Sequence, residues 1–248
     1  MAHGKRYRKQ LEKVDRDRTY PPLEAIALLK ETASANFDET VELHVLLGVN
    51  VRHAEEQLRG TLALPHGLGK DVTVAVFAQG QQARDAEAAG ADFVGGDDLA
   101  KKVEEEGWTD FDVAISTPQM MGTVGKLGRV LGPQGKMPNP KVGTVTDDIE
   151  KAVSESKAGK VEYRTDRQAI VHMAIGKASL SPDQLLDNFS AVMEEIVRAK
   201  PSAAKGRYIV TCTLTTTMGP GIRVDASKVG DRDEVAAAPQ AAEEPVTA

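Results

Sequence analysis

VTVAVFAQGQQARDAEAAGADFVGGDDLAKKVEEEGWTDFDVAIST, residues 72–117, decides the architecture of the middle of the chain. VTVAVFA is a short apolar, β-branched run of the kind that a parallel strand buried on both faces requires. QARDAEAAG reads as a helix ending at Gly90, and ADFVGG as a second short strand. DDLAKKVEEEG is a capped helix ending at Gly107, and FDVAIST is a third apolar strand. Strands that alternate with helices make βαβ units around a parallel sheet.

A parallel sheet invites a nucleotide-binding enzyme as the functional reading. The glycine-rich stretch that follows, GTVGKLGRVLGPQGKMPNPKVGT, does not carry the necessary spacing. A P-loop needs glycine five residues before its Gly-Lys pair and Ser or Thr after it; here Val130 and Met137 hold those places. Gly122, Gly125 and Gly128 recur every third residue, which is not the dinucleotide fingerprint. No Gly-x-Ser-x-Gly elbow occurs. The histidines His3, His44, His53, His66 and His172 lack metal-ligand spacing. Neither a cofactor nor a metal is expected, and a nucleotide-dependent α/β enzyme stands as the alternative.

Outward from the middle, the style changes. Leu23, Ile26, Ala27 and Leu29 mark one face of a helix that starts at Pro22. Val41, Leu43, Val45 and Leu47 alternate as a strand does. On the far side, KVEYR and AIVHMAIG read as two strands joined by the polar turn TDRQ. SPDQLLDNFSAVMEEIVRAK is a helix with Ser181 as N-cap, Pro182 in the first turn and Gln184 closing a capping box. Its expected buried face is Leu185, Leu186, Phe189, Val192, Met193 and Ile196. RYIVTCTLTTT is a strand, TMGPG a turn and IRVD a last strand, with Cys212 read as a buried thiol.

The expected fold is therefore an α+β two-layer domain formed by both chain ends (19–66 and 159–228), with an α/β, Rossmann-like three-layer domain inserted at 67–158. Gly67 and Gly69 mark where the chain leaves the outer domain and Gly159 where it returns, so the two junctions should lie together. The strands near Val161 and Val171 should join the strand near Val41 in one sheet. Residues 1–18 form a basic arm, and 229–248, rich in Ala, Pro and Glu, an acidic disordered tail.

The net charge of −6 argues at first against nucleic acid, but its distribution does not. Residues 1–18 carry seven Lys/Arg against three Asp/Glu, and 155–228 carry eleven against eight. Residues 67–154, with nine against fourteen, are acidic. Two basic segments that meet in space would serve a polyanion. Aromatics are only 4%, too few for stacking on many bases to dominate. No apolar stretch is long enough to cross a bilayer. MAHGKRYRKQ is followed by LEKVDRDRTY rather than an apolar run, so no secretory signal is expected and the cytoplasm is. The best helix carries Glu194 and Glu195 beside its apolar face, which disfavours a DNA-binding regulator.

Several residues suit RNA. Thr215, Thr217, Met218 and Gly219 end a strand and enter a turn where hydroxyls and backbone groups meet sugar and phosphate; otherwise they make a plain turn with Met218 as a core plug. Phe37 packs on a ribose or base, or anchors its loop. Thr40 and Glu42 lie on the polar side of a strand, where a carboxylate accepts from a ribose 2′-hydroxyl or is merely solvated. Arg164, His172, Gly176 and Lys177 belong to the segment before the long helix, Arg164 and Lys177 as phosphate contacts. Lys5, Arg6, Arg8 and Lys9 form the basic arm, a contact or a solvated tail.

GRVLGPQGKMPNPKVGTVT (128–146) and TTTMGPGIRV (215–224), with ANFDETVELHVLLGV and KVEYRTDRQAIVHMAIGKASL, closely resemble the large-subunit ribosomal protein L-one family, in its bacterial type. The resemblance runs in order from about residue 5 to 228 and leaves out the acidic tail. It implies the same fold and no catalysis. It also implies a structural constituent of the large ribosomal subunit that is a monomer off the ribosome. The implied partners are large-subunit ribosomal RNA at the mobile stalk beside the tRNA exit site, exit-site tRNA whose release the stalk assists, and the protein's own messenger RNA, whose translation it represses. The chain departs from the family pattern at Gln134, usually arginine, and Lys136, usually leucine.

Overall fold

The computed structural model describes residues 4–225; the expected acidic tail lies outside the described residues. The chain opens with α1 (Lys5–Leu11), α2 (Pro22–Thr32) and β1 (Thr40–Leu47). It continues through β2 (Arg59–Ala63), β3 (Val74–Phe77), α3 (Gln81–Ala88), β4 (Phe93–Gly95), α4 (Asp97–Glu106) and β5 (Val113–Ser116). Short helical turns α5 (Met121–Val124) and α6 (Gly128–Leu131) precede α7 (Ile149–Lys157) and β6 (Lys160–Arg164). Then come β7 (Ile170–Lys177), α8 (Pro182–Arg198), β8 (Ile209–Thr216) and β9 (Ile222–Val224). Two compact units result, one from residues up to 57 and from 165 onward, the other from 58 to 164.

The first unit is built on an antiparallel sheet in the order β7-β1-β8-β9. β1 alternates strictly: Val41, Leu43, Val45 and Leu47 are buried, while Thr40, Glu42, His44 and Leu46 are only half-buried. That period of two sends the apolar set to one face, where α2 and α8 cover it, and leaves the polar set on an open face. α8 begins as its sequence dictates. Ser181 Oγ accepts from the Gln184 N–H at 3.2 Å, and Gln184 Oε1 accepts from the Ser181 N–H at 3.0 Å. Leu185, Phe189, Val192, Met193 and Ile196 are buried; Leu186, expected among them, is half-buried.

The second unit holds a parallel sheet in the order β4-β3-β5. Here alternation separates two cores rather than a core from solvent. Ala75 and Phe77 face Ala100, Val103, Met120, Val124, Leu127 and Leu131 on one side. Val74 and Val76 face Ala86, Ile149, Ala152 and Val153 on the other. Both faces are thus covered by helices, as parallel strands require. Gly107 ends α4 with φ 63°, the left-handed cap that glycine adopts without a Cβ penalty.

Three expectations need correction. β6 does not join the sheet of β1: it pairs with β2 in a separate two-stranded sheet, with Val161 opposite Leu62. KVEYR and AIVHMAIG are therefore strands of different sheets; between them the turn residue Thr165 bridges Val171, and β7 pairs with β1. Second, the boundaries between the units fall at 57/58 and 164/165, so β2 and β6 belong to the middle unit rather than to the outer segments. Gly67 and Gly159 do meet, and a Cβ on Gly159 would stand 2.7 Å from Gly67 Cα, but they do so inside the middle unit. Third, residues 5–11 of the expected arm are helical.

Candidate nucleic-acid interface

The site grows from one buried carboxylate. Glu39 is 1% exposed and sits just before β1. Its Oε1 accepts from the backbone N–H groups of Ser34 at 2.8 Å and Ala35 at 2.7 Å; its Oε2 accepts from the Met218 N–H at 3.0 Å. Burial works to raise the pKa of this carboxyl. The nearby Thr216 hydroxyl and the amides of Ala35, Met218 and Ser34 outweigh burial and hold it below the ordinary value. Thr216 Oγ1 is buried without a hydrogen bond of good geometry, so the three amides carry this effect.

Around Glu39, residues 34–40 are clamped from two sides. On one side, the Thr40 N–H donates to Thr217 Oγ1 at 3.0 Å, and the Thr217 N–H donates to Thr40 O at 3.1 Å. On the other, Lys177 Nζ donates to Thr40 Oγ1 at 2.8 Å, and Ser179 donates through its N–H and hydroxyl to the Asp38 carboxylate at 3.1 and 2.7 Å. Phe37 and Met218, held on this framework, are 55% and 60% exposed, although both are large and apolar. Met218 is therefore not a core plug. Gly219 is required by close approach: a Cβ there would stand 2.3 Å from Thr216 Oγ1. At Gly176 a Cβ would stand 2.7 Å from Leu180 Cδ1, the far end of a half-buried side chain that would have to shift.

The open sheet face extends the site. Glu42 stands between Ala174 and Thr215, and His44 between His172 and Thr213. His44 and His172 approach through their Nδ1 atoms at 2.8 Å, so one donates and the other accepts. Glu42 lies 3.6 Å from His44 Nε2, and Asp166 lies 3.4 Å from His172 Nε2. Burial lowers the pKa of His44, His172 lowers it further, and Glu42 acts the other way.

The structure thus gathers Phe37, Thr40, Glu42, His172, Gly176, Lys177, Thr215, Thr217, Met218 and Gly219 within the first unit. Arg6 joins them through its Nε, which donates to Ser34 Oγ at 3.0 Å; Lys5 and Lys9 lie on the same helix, α1. Arg164 is not brought in. It ends β6 in the middle unit, opposite Arg59. Sequence reading missed Glu39, Asp38, Ser179 and His44. The signal for His44 was present, since it shares the alternation of β1 with Thr40 and Glu42.

Among the described residues no group of His, Cys, Asp and Glu is arranged to hold a metal ion, and no helix is long and apolar enough to cross a membrane. Residues 29–220 match the profile of the Ribosomal protein L1p/L10e family. The chain belongs to that family. Ribosomal L1p/L10e proteins are structural components of the large ribosomal subunit that bind its RNA, and membership places this chain on the ribosome. The matched span contains the whole Glu39 framework; α1 and Arg223 lie outside it. Of the two departures from the resembling pattern, Lys136 is engaged locally. Its Nζ donates to Thr109 O at 2.8 Å and lies 5.4 Å from the centre of the Phe111 ring.

Proposed function

We propose that this chain, of the bacterial type, binds the mobile stalk of large-subunit ribosomal RNA beside the tRNA exit site, through the Glu39 framework of its first unit. The observation that carries the reading is two exposed apolar side chains, Phe37 and Met218, fixed on backbone that is hydrogen-bonded on both sides. Exposed apolar groups held rigidly are ready to pack on ribose and base with little ordering entropy to lose. Thr40, Glu42, Thr215 and Thr217 surround them with hydroxyl and carboxylate oxygens suited to 2′-hydroxyls, which distinguish RNA from DNA. Lys177 and α1 supply positive charge for phosphates.

Bound there, the protein assists release of deacylated tRNA as part of the stalk. It represses translation of its own messenger RNA by binding a stretch that imitates the stalk, and it is a monomer when free. Cytoplasmic extract fractionated on a gradient should carry the chain with large subunits. The decisive experiment is competition. Stalk RNA and the leader of the chain's own messenger RNA should displace each other from the purified protein, and Met218→Ala should weaken both. Displacement by neither RNA would overturn the reading.

A further inference from the structure

Beyond the Glu39 framework, the open sheet face ends in a cleft with no function so far. Pairing aligns four residues in one row across all four strands: His172 opposite His44, His44 opposite Thr213, and Thr213 opposite Arg223. At ~4.8 Å between strands the row spans about 14 Å. At its β9 end opens a cleft of about 300 Å³ lined by Asp15, Arg16, Thr213, Gly221 and Arg223.

The segment that brings Arg16 there is firmly held. Tyr20 bridges Val224 in parallel, its N–H donates to Arg223 O at 2.9 Å, and its carbonyl accepts from the Asp225 N–H at 2.9 Å. The Tyr20 hydroxyl accepts from the Asp15 N–H at 3.0 Å, and Val14 and Tyr20 are buried. Neighbouring cations are occupied: Lys13 pairs with Glu31 and Arg18 with Glu24. Arg16 and Arg223 are exposed and have no carboxylate partner among the described residues. Asp15, in the same cleft, accepts from the Asp17 N–H at 3.0 Å. Two guanidinium groups against one carboxylate leave the cleft positive.

We propose that this cleft is a second RNA contact: Arg16 and Arg223 hold a backbone phosphate, and the His172–His44–Thr213 row guides the strand to it from the Glu39 framework. Guanidinium presents paired N–H donors that match phosphate oxygens, and Thr213 adds a hydroxyl. Gly221 keeps the floor low, since even a Cβ there would stand 3.1 Å from Thr213 Cγ2. Arg16 and Arg223 lie outside the matched span of residues 29–220, although Arg223 falls within the resembling stretch TTTMGPGIRV. The inference rests on the RNA-binding reading above.

The test uses the full chain and a stalk RNA fragment titrated over a range of monovalent salt. Arg16→Gln and Arg223→Gln should each weaken binding about three- to tenfold at low salt and make the salt slope shallower by roughly 0.7–0.9, the value of one phosphate contact. Their melting temperatures should not change. Arg16→Lys should restore the slope, while regaining only part of the affinity. Arg84→Gln, on α3 of the other unit, should alter neither quantity. A double Gln variant with the parental slope, in a protein that Met218→Ala still weakens, would overturn the cleft and leave the RNA reading standing. A parent protein that binds no stalk RNA would overturn both.

Discussion

The Met218 N–H donates to Glu39 Oε2 at 3.0 Å, which joins a turn near the end of the chain to a loop 179 residues earlier. One side of that bond is a buried charge and the other is the backbone of an exposed side chain. Stability and the proposed RNA contact therefore share a single group.

Replacing Glu39 should show this coupling. Glu39→Ala strands three backbone N–H donors, at Ser34, Ala35 and Met218. The expected cost is about 2 kcal/mol or more in urea unfolding, with weaker RNA binding in parallel. A variant as stable as the parent would show that the donors find water at no cost.

The same carboxyl gives a pH dependence. Its pKa lies below the ordinary value in the folded state, so its contribution is complete above the unfolded pKa of about 4.5 and is lost as pH falls through the lower folded value. The stability gap between parent and Glu39→Gln should therefore shrink as acid is added, and a gap constant down to strongly acidic pH would contradict the assignment.

His44 works in the opposite pH range but with the same sign. Burial and His172 lower its pKa, so the unfolded chain takes up a proton more readily. Stability should decline as pH falls below about 6.5 and level off once pH is below the folded value. Thermal melts of His44→Gln should lose that decline.

Side chains of the turn separate in their effects. Met218→Ala removes an exposed group and should weaken stalk RNA binding by roughly 1–3 kcal/mol with little change in melting temperature. Thr217→Ala also removes the acceptor for the Thr40 N–H, so it should lower both affinity and stability. Filter binding beside a melting curve distinguishes the two patterns; equal stability losses would refute the division.

Joining residue 57 to 165 by a short Gly/Ser link should leave a cooperative domain that keeps most of its RNA affinity, because β1, β7, β8, β9, α2 and α8 and the Glu39 framework all remain. Circular dichroism and titration would check this. A folded remnant that does not bind would move the main site into 58–164.

The elements were legible wherever a period was strong. β1 and α8 show periods of two and 3.6 residues, and the capping box at Ser181 has the geometry its residues imply. Pairing was less legible. KVEYR alternates as a strand does, but its alternation does not say which sheet it joins, and its partner RGTLA has little apolar content to announce a strand. Glu39 was invisible because a carboxylate in a polar run reads as solvated; its burial depends on amides from residues 34, 35 and 218. Arg16 and Arg223 were hidden for a similar reason, since only the bridge between Tyr20 and Val224 brings them together.

The central position of β1 has a consequence during synthesis. Both of its neighbours, β7 and β8, are encoded after residue 165, so the strand is made long before anything exists to pair with it. At ~5–20 residues per second, the wait is on the order of ten seconds. Over that time Val41, Leu43, Val45 and Leu47 have no sheet to enter, while β2 through β6 complete a unit of their own. High contact order thus falls on the unit that carries the proposed RNA interface, which makes it the slow and aggregation-exposed half to fold.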